Sequence, residues 1–158
     1  MQLRRSQHLS ATKSGPRRRR LQVLLVESDL LDVRLFEESF RALKITHELT
    51  VVSSRSQAIR LLAGRNSRCL LIDLVLIGVS TVDRDKFDLL TAIRANAILL
   101  TMHVIILASS SNAADVHRAY ELGANSYLVK PANDFVDLIG DLDRFWFRRA
   151  ELPLRSRT

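Results

Sequence analysis

The stretch Cys69-Leu70-Leu71-Ile72-Asp73 decides the reading of this chain: four apolar residues that stop at an acid. A continuous apolar run of this length is the pattern of a strand covered on both faces. The pattern recurs on either side of it. Leu21-Gln22-Val23-Leu24-Leu25-Val26 runs into Glu27-Ser28-Asp29, and Leu49-Thr50-Val51-Val52 runs into a serine-rich turn. Val104-Ile105-Ile106-Leu107 is followed by Ala108 and Ser109-Ser110-Ser111-Asn112, and Tyr127-Leu128-Val129 by Lys130-Pro131.

Between these runs the period changes to that of helices. Leu31, Leu35, Phe36, Phe40 and Leu43 predict a helix over 30–43, with Asp29 at the N-cap position. Ser54 or Ser56 can cap a second helix carrying Ala58, Ile59, Leu61 and Leu62, which stops near Gly64. A polar loop from Asp73 through Asp85 leads to a third, with Phe87, Leu90, Ile93 and Ile98. Residues 113–122 form a fourth that Gly123 ends, and a last helix spans 134–150. Five strands alternating with five helices predict an α/β protein with a doubly wound five-stranded parallel sheet. Ligands of such sheets bind beyond the carboxyl ends of the strands. That rule selects Glu27 to Asp29, Asp73, Ala108 to Ser109, and Lys130.

With LLVES at 24–28, LLIDL at 70–74, VIILAS at 104–109 and SYLVKP at 126–131, the chain resembles the receiver domain of two-component signalling, a flavodoxin-like fold. The likeness covers residues 21–147. Asp32-Val33-Arg34-Leu35, the long loop after Asp73 and Asp143-Arg144-Phe145-Trp146 look narrower, resembling the single-domain regulators that partner phytochrome-type histidine kinases. The resemblance implies that Asp73 accepts a phosphoryl group from a kinase phosphohistidine. It implies that Glu27 and Asp73 hold Mg²⁺ and that Lys130 pairs with the phosphoryl oxygens. It also implies a switch formed by Ala108 or Ser109 with Tyr127, and it allows a cis Lys130–Pro131 bond.

Two departures from the family pattern weaken the site. Ser28 stands where a second acid normally ligates the metal, so Asp29 either substitutes or simply caps the helix. Ala108 stands where a Ser or Thr normally senses the phosphoryl group, unless the alignment slips by one and Ser109 supplies the hydroxyl. Two functions therefore stand side by side. One is a response regulator phosphorylated on Asp73 that signals through altered protein contacts, binding Mg²⁺ at a weakened site. The other is a degenerate pseudo-receiver, a phosphorylation-independent interaction module.

The rest of the chain narrows the classes. Of the net charge of +7, all lies in residues 1–20, which hold seven basic residues and no acid. Residues 21–158 balance at 17 basic and 17 acidic, so nucleic acid is an unlikely partner of the folded part. The expected organisation is a basic disordered tail (1–20), a receiver domain (21–150) and a short C-terminal tail (151–158), with no output domain. Cys69 has no partner for an internal disulfide and reads as a core residue. No apolar run approaches the ~18 residues of a membrane span, and the single cysteine fits a reducing compartment, so a cytoplasmic location is expected. The four histidines lack zinc-ligand spacing, neither GxxxxGK[ST] nor GxGxxG occurs, and no nucleophile elbow surrounds the serines, so no enzyme is expected. On the last helix, Phe135, Leu138, Ile139, Leu142, Phe145 and Trp146 share one face. Phe147 falls off it, beside Val136 and Gly140, which suggests a partner surface, most simply a homodimer.

Overall fold

Asp73 marks where a strand begins, not where one ends. A computed structural model describes residues 19–64, 71–83, 85 and 87–153. The strands are β1 (Gln22–Val26), β2 (Glu48–Val52), β3 (Leu74–Val79), β4 (His103–Ala108) and β5 (Ser126–Val129). All neighbours pair in parallel, in the order β2-β1-β3-β4-β5. Helices α1 (Leu30–Ala42), α2 (Arg55–Ala63), α3 (Asp88–Ala95), α4 (Ala113–Glu121) and α5 (Val136–Leu142) alternate with them. The predicted doubly wound sheet is therefore present.

The two-residue period of each strand sorts side chains between two cores. Val23 and Leu25 of β1, Leu74 and Leu76 of β3, and Ile105 and Leu107 of β4 pack with Phe36 and Phe40 of α1 and with Phe135, Ile139 and Leu142 at α5. Leu24 and Val26, then Val75, Ile77 and Val79, then Val104, Ile106 and Ala108 face the other way, onto Ala58 of α2, Leu90 and Ile93 of α3, and Ala119 of α4. Helix starts are fixed by side chains: Asp29 accepts from the Leu31 and Asp32 amides, Ser54 from Gln57, and Asn112 from Ala114 and Asp115. Gly123, at φ +93°, ends α4 in a conformation that a Cβ would strain. Leu31, Ile98 and Phe145, read above as core-facing, are exposed. The basic residues 1–18, Cys69 and residues 154–158 lie outside the described residues.

The third strand corrects the reading of the deciding stretch. Leu71 and Ile72 lie in the approach to β3, and the strand is the second apolar run, Leu74 to Val79. This register is set by pairing on both sides: Leu74 to Ile77 match Val23 to Val26, and Leu74 to Val79 match His103 to Ala108. Asp73 donates its backbone N–H to the Gln22 carbonyl (2.8 Å), and its Oδ2 accepts from the Gln22 amide (2.8 Å). Arg19 holds the same carboxylate bidentately, at 3.0 and 2.6 Å. Asp73 is thus a buried anchor at the amino edge of the sheet.

The end of α5 brings a second correction. After Leu142 the helix widens into a π turn, Asp143–Phe147, and the Ala150 amide bonds the Phe145 carbonyl five residues back. The wider turn delays the phase of the apolar stripe. Phe147 swings into the core (2% exposed) against Phe40 and His47, while Phe145 turns outward (56% exposed). Gly140 is buried and Val136 half-buried, so Val136, Gly140 and Phe147 form no exposed partner strip. Accordingly, Phe147→Ala should lower unfolding free energy by about 3–5 kcal/mol in a denaturant titration. Phe145→Ala should change it by less than about 1 kcal/mol. Equal effects would contradict the π turn.

Candidate functional site

The alternation that sorts the core also decides which residues meet at the carboxyl edge. Continuing β1 past Val26 puts Glu27 on the α1/α5 face, where continuing β5 past Leu128 puts Lys130. On β3 the residue of the same face at this end is Gly78, two beyond Leu76. Extending the β1–β3 register by one step sets Glu27 opposite Gly78. These placements make a site of a carboxylate, a lysine and a bare backbone.

Glu27 fills the space that Gly78 leaves. A Cβ on residue 78 would fall onto Glu27 Oε2 and come within 2.6 Å of its Cδ. Glu27 is itself only 8% exposed. Its Oε1 accepts the Asp29 backbone N–H (3.0 Å) and its Oε2 accepts from Lys130 Nζ (3.0 Å). Lys130 also donates to Asp32 Oδ2, at 2.6 Å, from the first turn of α1. Burial alone would lower the Lys130 pKa. The hydrogen bonds and charges of Asp32 and Glu27 outweigh it and hold the ammonium above its ordinary value.

The expected site residues separate into two groups. Glu27 and Lys130 come together as predicted, joined by Asp32. Asp73 does not join them: five residues of strand, ~16 Å at about 3.3 Å per residue, separate it from Gly78. Its expected roles as phosphoacceptor and metal ligand are therefore corrected; its oxygens serve Arg19 and the start of β1. Asp29 takes the capping role, its Oδ1 accepting the Leu31 and Asp32 amides at the start of α1. Ala108 is the last residue of β4, paired with Val79 and Val129, and Ser109 is exposed beyond it. Tyr127 lies on the opposite face, with Ala108, and donates its hydroxyl to the Ser110 carbonyl (2.8 Å). Burial, then the Asp115 charge, raises its pKa. The Lys130–Pro131 bond is trans.

These residues do not fit a hard dication. Such ions take several oxygen ligands. Here Glu27 is committed to Lys130 and Asp29 to its helix, Ser28 is neutral, and Gly78 offers no side-chain donor. Among the described residues no three His, Cys, Asp or Glu side chains are grouped to hold a metal. Gly78, Asp32 and Arg19 escaped the sequence reading. A lone glycine inside an apolar run was the available signal, since it marks close approach of another group.

The fold and this edge define a class. Residues 23–140 match the response regulator receiver domain, and the chain belongs to that family. It is a response regulator with one receiver domain, similar to the response regulator Rcp1 of Synechocystis sp., at 30% identity over 83% of this chain and 92% of Rcp1. Among solved structures, the response regulator RPA3017 in red light signalling of R. palustris superposes with a TM-score of 0.78 at 31% identity, covering 85% of this chain and 99% of that one. The phosphorylated cyanobacterial phytochrome response regulator RcpA gives 0.76 at 26% identity, covering 86% and 100%. Receiver domains generally bind Mg²⁺, are phosphorylated on an aspartate by histidine kinases, and regulate without being enzymes. No helix among the described residues is long and apolar enough to cross a membrane.

Two substitutions probe the edge. Gly78→Ala should cost about 1–3 kcal/mol, because Glu27 must give up its place. Lys130→Met should cost about 3–5 kcal/mol at neutral pH by leaving Glu27 and Asp32 facing each other. Because the folded state raises the Lys130 pKa, that advantage is full below about pH 10.4 and fades as pH rises through the folded value. Denaturant titrations of both proteins across this range measure the difference.

Proposed function

We propose that this response regulator acts as a pseudo-receiver, engaging its partners through a receiver frame held in one state without aspartyl phosphorylation. The observation that carries the proposal is Gly78: at the carboxyl end of β3, on the face shared by Glu27 and Lys130, there is no carboxylate to phosphorylate. The surroundings agree. Ala108 offers no hydroxyl to an incoming phosphoryl group, and Lys130 is already engaged by two acids. Glu27, Asp32 and Lys130 together leave one negative charge, which opposes a phosphoryl group carrying nearly two more. The Tyr127 hydroxyl is tied to the loop after β4 rather than free to follow a ligand. On this reading the chain needs no Mg²⁺.

The relatives named for phytochrome and red light support a phytochrome-type histidine kinase as one partner, met as a binding partner rather than as a phosphodonor. The protein acts in the cytoplasm as a homodimer and is not an enzyme. With the α5 strip covered, the edge strand β5 and α4, which expose Val129 and Tyr120, become the proposed self-association face.

Incubation of the full chain with a small phosphodonor and Mg²⁺, read by intact mass, tests this. Wild type and Asp73→Asn should both remain unmodified, while Asp73→Asn lowers stability by loosening the Arg19 and Gln22 contacts. Stoichiometric phosphorylation lost in Asp73→Asn would overturn the proposal.

A further inference from the structure

We infer that His47 is a proton-operated clasp at the amino edge of the sheet, holding the start of β1 and the end of α5 together. Its Nδ1 accepts the Leu21 backbone N–H at 3.1 Å, and its ring lies edge-on against Phe147 with centroids 5.1 Å apart. Leu21 in turn accepts the Glu48 amide through its carbonyl (2.9 Å), so the clasp is continuous with the β1–β2 pairing. Through Phe147 it reaches Phe40 of α1. One imidazole therefore joins the root of the arginine-rich N-terminal run to the last helical turn.

The bond exists only for neutral imidazole with the Nδ1 lone pair free. A proton on that nitrogen turns acceptor into donor and sets two N–H groups against each other. The surrounding charges do not rescue the cation. Arg20 before β1, Asp73 before β3, and Asp143 and Arg148 at the end of α5 act on the ring. Glu48 on β2 is its chain neighbour. Each acid already has an arginine: Arg19 for Asp73, Arg20 for Glu48 and Arg148 for Asp143. From α1, Phe40 brings no charge. Burial, opposed by Asp143 and assisted by Arg148, holds the His47 pKa below its ordinary value. The clasp is accordingly intact above about pH 6.5 and weakens as pH falls through the lowered folded value. The ring is half-buried, so protons reach it. Acidification would loosen the contact between the start of β1 and the end of α5, while the carboxyl edge keeps its ion pairs.

Amide hydrogen exchange of the full chain from about pH 7.5 to about pH 5, corrected for intrinsic rates, tests the clasp. Lys130, whose backbone N–H bonds the Ala108 carbonyl at 2.7 Å, serves as the control. Protection of Leu21 should fall on the order of tenfold in wild type on acidification, with Lys130 unchanged. His47→Asn, whose amide oxygen replaces Nδ1, should keep protection nearly flat, and His47→Phe should lack it even at the higher pH. Flat Leu21 protection in wild type, or the wild-type fall in His47→Asn, would overturn the inference.

Discussion

Lys130 reaches from the end of β5 to a carboxylate on β1 and another on α1, and the carboxyl edge is organised around that ammonium. The three groups converge because the parallel register aligns the strand ends and the pleat sends Glu27, Gly78 and Lys130 to one face. Taking a lysine out of water is costly unless acids answer it. Here two answer, and one of them, Glu27, stands where a side chain on β3 would otherwise stand. The absence of a side chain at residue 78 and the position of Glu27 are thus a single packing solution.

Under the proposed pseudo-receiver function, that solution changes the kind of signalling the frame supports. A phosphorylated carboxylate operates by adding charge and hydrogen-bond acceptors that rearrange their neighbours. An edge whose lysine is already satisfied, whose β4 terminus is an alanine and whose tyrosine is tied to Ser110 has no vacant partner for such a group. Leu30 and Leu31 at the start of α1 are exposed. Asp32 ties that turn to Lys130 and so to the end of β5.

The fold was legible in the sequence because its signals are distributed: five apolar runs, helical stripes between them, and caps at Asp29, Ser54 and Gly123. The site was half legible. Glu27 and Lys130 follow their strands immediately, whereas Asp73 is flanked by apolar runs on both sides, and hydrophobicity alone fits a strand before it or after it. What broke the tie is non-local: pairing with Val23 to Val26 and His103 to Ala108. Choosing the wrong run moved the acceptor by a whole strand length and hid Gly78. The α5 stripe failed for a related reason, since a π turn alters the period that the spacing of Phe145 and Phe147 was measured against.

Identity of 26–31% to light-signalling regulators and a site unlike the family pattern are compatible for the same reason. Family likeness is summed over more than a hundred mostly apolar positions, each of which tolerates a similar residue at small cost. Phosphoryl chemistry resides in a handful of positions at one sheet edge. Gly78 and Ala108 therefore subtract almost nothing from the likeness, and on the proposed function they are what sets this edge apart. The phosphorylated state of RcpA belongs to RcpA; what passes to this chain is the frame on which such a site is built. Where the two diverge, what decides is the residue opposite Glu27, which here has no side chain.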